Sequence, residues 1–174
     1  MRGVLVGLGL AATTLIVAGD ALGCGDKFLV VGRGVRAQRL NGAVHHAAIL
    51  IYVSPKGGLD AALRETGLDR DLSLAGHSVR AVTDQAQFES ALASGKQDIV
   101  LAGIADMTTL EPLVGAAPRR PSLLPIIYNP TGEELEAAKK EYRCVMRSPS
   151  TQQGYLAVIE DAMRQRGQSA RRGQ

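Results

Sequence analysis

Residues that could bind an anion follow the first predicted strand of this chain. They are a hydroxyl, an ammonium group and two adjacent glycines: Ser54, Lys56, Gly57 and Gly58. A predicted helix starts directly after them, and backbone N–H groups and the helix dipole favour anions at such a start. Asn129 and Arg147, which follow later strands, could complete the site, and Gly103 could be a floor that lets a ligand approach closely. The alternative is that Ser-Pro-Lys-Gly-Gly is a strong turn without a ligand.

Support for catalysis is weak. No Ser-His-Asp arrangement matches a motif, no Cys-His pair has a suitable context, and no pair of carboxylates stands out. Of the three histidines, His45 and His46 are adjacent and His77 lies in a predicted turn. If His45 and His46 open a strand, they point to opposite sides and do not readily share a metal. We therefore expect no enzymatic activity, no cofactor and no metal.

Five predicted strands that alternate with helices would position these residues. The strands cover residues 47–53, 78–82, 99–104, 123–128 and 143–146. The run from Ile99 to Ile104 is continuously apolar, which is typical of a strand buried on both faces. Right-handed crossovers turn such an alternation into a doubly wound α/β parallel sheet with helices on both faces. Spacing alone does not choose between strand orders.

Two local sequence features concern the predicted elements: a capping box supports the start of one helix, and a proline argues against one strand. Thr131 with Glu134 forms a capping box, and Glu136 with Lys140 adds an i,i+4 ion pair on the helix that follows. Pro125 lies inside the fourth predicted strand, where proline cannot donate a hydrogen bond to a neighbouring strand.

The first 23 residues are typical of a secretory signal peptide. Arg2 is followed by an uncharged run of 17 residues from Gly3 to Gly19, and small residues stand at Ala21 and Gly23. A spanning helix needs about 20 apolar residues, so the run is marginal as a membrane segment. We expect cleavage and export to the periplasm or cell envelope of a bacterium. A retained membrane anchor is the alternative.

The residue after the expected cut is Cys24, and Cys144 is the only other cysteine. In an oxidising compartment these two have a single intramolecular pairing, which would contribute roughly 4 to 5 kcal/mol in the chain-entropy model. The surroundings of Cys24 also resemble the lipobox of bacterial lipoproteins. Gly23 suits that pattern, but Ala21 replaces its usual leucine and Leu22 is bulkier than usual. A disulfide, lipidation of Cys24 and a buried free Cys144 all stay open.

Charge is distributed unevenly along the chain. The net charge is +3, but the part from Leu40 to Met163 holds 11 basic and 15 acidic residues, so the basic excess lies at the two ends. Two Phe, four Tyr and no Trp provide no stacking platform for nucleic acid. We expect a signal peptide (1–23), an extended segment with a basic linker (24–46), an α/β domain (47–166) and a disordered basic tail (167–174). Membrane contact is expected only through the signal or a lipid anchor.

From roughly Ala47 to Met163 the chain resembles the receiver domains of bacterial response regulators. The likeness rests on Ile49-Leu-Ile after a linker, Ala75-Gly-His-Ser-Val79 before the second strand, Asp98-Ile-Val-Leu101 in the third and Arg147-Ser-Pro149 after the fifth. The resemblance implies a five-stranded, flavodoxin-like sheet in the order 2-1-3-4-5. The opening Cys24-Gly-Asp-Lys-Phe also looks like that of exported bacterial proteins without an assigned role.

Receivers accept a phosphoryl group on an aspartate at the end of the third strand. Acidic residues after the first strand hold Mg²⁺, a hydroxyl follows the fourth strand and a lysine follows the fifth. In this chain Gly103 stands at the acceptor place, and Val53 and Ser54 stand where the acidic pair belongs. The hydroxyl place falls around 129–131, in uncertain register, and Arg147 stands near the lysine place. Asp106 follows the acceptor place by three residues.

The resemblance therefore implies a receiver-like domain that is not phosphorylated and acts as a protein-interaction module for an unknown partner in the cell envelope. The alternative is a protein that binds a small anion or a nucleotide at the carboxyl edge of the sheet. Half of a periplasmic solute-binding protein is a weaker interpretation, because such proteins need two lobes.

Overall fold

The computed structural model of the protein describes residues 43, 45–56 and 58–172. The predicted signal peptide, Cys24 and its pairing, most of the linker and Gly57 lie outside the described residues. The strands are β1 (Ala48–Tyr52), β2 (Ser78–Val82), β3 (Ile99–Gly103), β4 (Ser122–Tyr128) and β5 (Met146–Ser148). The helices are α1 (Leu59–Thr66), α2 (Leu68–Leu74), α3 (Gln85–Ala93), α4 (Met107–Ala116), α5 (Gly132–Glu141) and α6 (Gln152–Arg172). Within this part of the chain, no helix has both the length and the hydropathy that crossing a bilayer requires.

The sheet has five parallel strands in the order β2-β1-β3-β4-β5. The predicted doubly wound, flavodoxin-like α/β fold is thus confirmed. Tyr52 at the end of β1 lies opposite Val82 and Ala102, and Gly103 at the end of β3 lies opposite Ile126. The chain leaves β1 in one direction to form β2 and in the other to form β3, so the topological switch point lies between β1 and β3.

β3 is enclosed on both faces. Ile99 and Leu101 belong to a core cluster with α1, α2 and α6, which we call the first face. Val100 and Ala102 belong to a second cluster with α3 and α4, the second face. These four side chains are 0% exposed. Burial of an aliphatic side chain of this size contributes about 1.5–3 kcal/mol, so the two clusters together hold the layers on the sheet.

The predicted capping box at the start of α5 is present. Thr131 N donates to Glu134 Oε2 at 2.8 Å, and Glu134 N donates to Thr131 Oγ1 at 3.2 Å. The hydrogen bond from the Thr131 amide lowers the pKa of Glu134, so the box stabilises the fold above the unfolded-state pKa and loses that effect as pH falls through the folded one. The predicted pair with Lys140 is wrong: Glu136 contacts Lys139, one position earlier, at 3.0 Å.

Pro125 lies inside β4 without breaking the sheet. Ser122 N donates to Asp98 O beside β3, whereas Asn129 N donates to Ser148 O of β5. Backbone direction alternates along a strand, so the ring nitrogen of Pro125 faces the β5 side. Because β5 begins to pair only at Ile126, no hydrogen bond to a neighbouring strand is lost at Pro125.

The last strand and the last helix differ from the sequence prediction. β5 covers Met146–Ser148 rather than 143–146, because Tyr142 ends α5 in an extended conformation and pairing starts only at Met146. The helix α6 continues to Arg172, so residues 167–172 are helical rather than a disordered tail. Arg166 anchors this end: its guanidinium donates to Asp98 O at 2.8 Å and to Arg119 O at 3.3 Å.

Candidate functional site

The carboxyl ends of the parallel strands meet at one edge of the sheet, where ligands bind in folds of this type. We call this edge the carboxyl rim and define it by residues 53–56 and 58, 103–106, 128–131 and 148–150. The rim holds Ser54, Lys56, Gly58, Gly103 and Asn129 of the predicted site. These residues lie on three different strand ends, so sharing a rim does not by itself make them one site.

The turn after β1 is held by its own serine. Ser54 is 4% exposed, and its Oγ accepts a hydrogen bond from Lys56 N at 3.1 Å. The Lys56 side chain is exposed to solvent. The hydroxyl that was predicted to face a ligand therefore closes the turn, as the ligand-free interpretation requires.

Gly58 precedes α1 and lies next to Tyr128, an aromatic residue that was not predicted to belong to the site. It has φ 66°, and a Cβ at this position would lie 3.4 Å from Tyr128 Cβ. The Tyr128 hydroxyl donates to the Glu65 carboxylate on α1. This hydrogen bond raises the pKa of Tyr128, whereas a side-chain hydrogen bond with Asn129 lowers it. The structure thus brings together Gly58, Asn129 and the unforeseen Tyr128.

Acidic groups accompany the start of α1. No side chain caps this helix, and Asp60 lies in its first turn, where it forms an ion pair with Arg64 at 2.7 Å. A carboxylate here already interacts favourably with the helix dipole. Together with the ring of Tyr128 beside Gly58, this arrangement makes the helix start a poorer anion site than the sequence suggested.

The end of β3 has no functional side chain, but a carboxylate follows it. Gly103 is buried and pairs with Ile126. Residues Ile104–Asp106 form a single 3-10 turn, and Asp106 precedes α4 without a side-chain capping hydrogen bond. Asp106 is 9% exposed, and its Oδ2 has no hydrogen-bond partner. In the described chain no three His, Cys, Asp or Glu side chains group closely enough to hold a metal ion.

Ser148 and Tyr155 form a neutral polar contact at the end of β5. The two side chains are 0% and 1% exposed, and their hydroxyl oxygens lie 3.1 Å apart. The amide of Ser150 donates to the Tyr155 hydroxyl at 2.9 Å. This place after the fifth strand is therefore filled by uncharged groups that hydrogen-bond to one another.

Arg147 occupies a different position in the fold from the predicted one. It lies inside β5 opposite Ile127, not after the strand as predicted. Alternation along the strand directs its exposed side chain away from the face on which Met146 and Ser148 are buried. The prediction failed because the strand begins three residues later than its sequence pattern indicated.

Two shallow hollows lie away from the predicted residues. One, of about 210 Å³, is lined among others by Leu124, Tyr142, Cys144 and Gln165, between β4 and α6. The other, of about 250 Å³, lies beneath α5 and is lined by Ile104, Ile127, Glu134, Ala137, Ala138 and Glu141. Neither hollow is lined by a residue of the predicted site. Gln165 Nε2 lies 3.6 Å from Cys144 Sγ, and the predicted pairing of Cys144 with Cys24 stays a prediction.

Comparisons with protein-family models, curated proteins and solved structures find no significant match to this chain.

Removing the Tyr155 hydroxyl should destabilise the fold. Tyr155→Phe leaves the Ser148 hydroxyl and the Ser150 amide without their partner, which we expect to lower the free energy of unfolding by about 1–3 kcal/mol. The matched control is Tyr52→Phe, which keeps the ring contact with Phe88 at 5.2 Å and should change stability by less than about 0.5 kcal/mol. Urea unfolding measures both, and equal losses would contradict a structural role for the Tyr155 hydroxyl.

Proposed function

We propose that this chain is an exported, receiver-like domain that accepts no phosphoryl group and acts as a protein-interaction module in the bacterial cell envelope. The observation that carries the proposal is Gly103 at the end of β3, at the switch point where a receiver has its acceptor aspartate. The role is binding, without catalysis. Export is proposed from the first 23 residues of the sequence.

The chemistry of the carboxyl rim supports the loss of phosphotransfer. Phosphoryl transfer to a carboxylate depends on cations that balance the charge of the phosphoryl oxygens, and Mg²⁺ is held by carboxylates at short distances. Val53 and Ser54 follow β1 and bring no carboxylate. Asp106 lies beyond the strand in the 3-10 turn, buried, and Thr131 uses its hydroxyl in the capping box.

The lateral edge of the sheet that β2 forms offers a surface for a protein partner. β2 is an edge strand that pairs only with β1 among the described strands, and three of its five residues are exposed. Edge strands present unpaired backbone groups to which a partner can add a strand. Arg80 stands at the centre of β2 and favours a partner strand with an acidic side chain. Leu74, at the end of α2 just before β2, is 69% exposed and adds an apolar contact.

The alternative function is the binding of a small anion or nucleotide at the carboxyl rim. One observation favours it: no side chain caps the amino terminus of α1, and the exposed Lys56 lies just before it. The hydrogen bond of Ser54 within the turn and the acidic Asp60 oppose it.

The domain should not be phosphorylated by a small phosphodonor. Incubation of the mature protein with acetyl phosphate and Mg²⁺ is expected to give no adduct with the mass of a phosphoryl group, because the rim has no acceptor at Gly103. Gly103→Asp is the companion variant. It restores the acceptor aspartate but not the acidic pair that holds Mg²⁺, so it should also give no phosphoryl adduct. A phosphoryl adduct on Asp106 of the unchanged protein would overturn the proposal.

A partner should be captured through the β2 edge. A photo-crosslinking residue in place of Leu74, in the full chain expressed with its own first 23 residues, should give a discrete protein adduct in the envelope fraction. The same residue in place of Glu136, whose side chain is 65% exposed on α5, is the matched control and should give none. Arg80→Glu should reduce the adduct at position 74. Equal adducts at both positions, or none at position 74, would contradict a partner at this edge.

Anion binding separates the two functions. A thermal-shift series with phosphates and nucleotides should show no stabilisation if the interaction function is right. If an anion binds, ligand at 100 times its Kd stabilises by about 2.7 kcal/mol, and this shift should disappear in Lys56→Ala. Lys96→Ala, an exposed lysine before β3 at the opposite edge of the sheet, is the control and should keep it.

A further inference from the structure

The three histidines of the chain lie together at the amino edge of the sheet, opposite the carboxyl rim. His45 and His46 precede β1, and His77 immediately precedes β2. They connect the residues before β1, which we call the pre-β1 segment (residues 43 and 45–47), to the turn between α2 and β2 and to α6. The sequence predicted that His45 and His46 open a strand and that His77 lies in a turn, and their partners were not foreseen.

The pre-β1 segment is attached to the α2–β2 turn by four hydrogen bonds. Ala43 N donates to Ala75 O at 2.9 Å, and His46 Nδ1 donates to Gly76 O at 2.8 Å. Both backbone groups of Ala47 form hydrogen bonds with the turn. Its amide donates to His77 Nδ1 at 3.2 Å, and its carbonyl accepts from the amide of Ser78 at 3.0 Å.

The hydrogen bond from Ala47 fixes the protonation state of His77. A backbone N–H can only donate, so Nδ1 must accept and the imidazole must be neutral with its proton on Nε2. His77 is 5% exposed, and its Nε2 has no hydrogen-bond partner. A proton added to Nδ1 would point at the Ala47 amide, and two donors facing each other cannot form this bond.

A second attachment of the same segment joins it to α6. The backbone amide of His45 donates to Glu160 Oε1 at 2.9 Å, and His45 Nδ1 donates to Glu160 Oε2 at 2.6 Å. Glu160 lies on α6 and is 9% exposed. Both groups of His45 donate, so this contact does not need an unprotonated ring nitrogen. Acid therefore removes the acceptor that His77 offers to Ala47, whereas the contact with α6 uses no acceptor on a histidine.

We propose that His77 is an acid-sensitive clasp: neutral His77 holds the amide of Ala47 against the α2–β2 turn, and protonated His77 releases it while His45 stays bound to Glu160. The other hydrogen bonds of the segment to this turn, from Ala43, from His46 and to the Ala47 carbonyl, do not involve the His77 ring and remain, so acid loosens the segment at Ala47 without freeing it. Residues 1–42 precede this segment in the chain, so the loosening occurs at the point where they join the domain. The inference is independent of the proposed function.

The groups that face His77 support this direction. Burial lowers the pKa of His77 below its ordinary value of 6.5, Glu160 on α6 raises it, and His46 of the pre-β1 segment lowers it. The helix α2 meets the turn through its backbone, where Leu72 O accepts from the His77 amide at 3.1 Å. Because the folded pKa is the lower one, the contribution of the clasp to stability is complete above 6.5 and is lost as pH falls from there through the folded value.

Amide hydrogen exchange of Ala47 in the full chain tests the clasp. As pH falls from about 7.5 through the folded-state pKa of His77, the protection factor of Ala47 should fall at least about tenfold, while the amides of β3 stay protected. The nitrogen chemical shifts of His77 should indicate a proton on Nε2 at the upper pH and on both nitrogens at the lower one. Constant protection of Ala47 across this range, or an Nδ1-protonated neutral ring, would overturn the proposal.

Variants distinguish the clasp from general acid sensitivity. His77→Asn places an acceptor oxygen near the position of Nδ1 but does not titrate, so protection of Ala47 should no longer depend on pH. Lys96→Ala, at an exposed position of the same edge that contacts neither the segment nor the turn in any hydrogen bond described above, is the control and should keep the dependence of the unchanged chain. If the protection of Ala47 in His77→Asn depends on pH as it does in the unchanged chain, the assignment of the acid response to His77 is wrong. This test does not require the more disruptive variant His77→Ala to fold.

Discussion

The enclosure of β3 between two layers of helices is the constraint on which the rest of the fold depends. Every side chain of this strand is buried in one of two apolar clusters, so no position along it can present a reactive group to solvent. Chemistry in such a sheet has to come from residues just beyond the strand ends. At the most central of these ends, the chain has Gly103 and then a tight 3-10 turn.

The polar groups of the carboxyl rim serve the fold. The hydroxyl of Ser54 closes a turn, that of Thr131 caps a helix, and those of Ser148 and Tyr155 contact each other. Buried polar groups that are satisfied in this way stabilise one arrangement, but they leave few free donors or acceptors for a ligand. Asp106 is the exception at this rim, with one buried carboxylate oxygen that has no partner.

At the amino edge of the sheet, ionisable side chains contact the backbone and one another. Asp98 Oδ2 accepts from the amide of Ala48 at 3.0 Å, and the guanidinium groups of Arg119 and Arg166 each lie 3.9 Å from Asp98 Oδ1. His77 and Glu160 lie at the same edge. Ionisable side chains here connect the beginnings of strands to α6.

Sequence patterns predicted the layers well because each pattern reflects a local cause. The apolar run of β3, the capping box at Thr131 and the bounds of β2 are all properties of neighbouring residues. β5 was misplaced because a three-residue edge strand has almost no pattern of its own. The site was harder still: the contact between Tyr128 and Glu65 joins positions 63 residues apart, and that between Ala47 and His77 joins positions 30 apart. Such contacts follow from strand register, which no local pattern encodes.

The position of α6 in the chain has a consequence for how the protein is made. Tyr155, Leu156 and Ile159 complete the first face of the sheet, and α6 leaves the ribosome after all five strands. Until then Ile99 and Leu101 lack part of their cover, and the nascent polypeptide cannot close its interior. A domain that needs α6 to complete its interior stays open until that helix has been synthesised, and a chaperone can bind its exposed apolar surface until then.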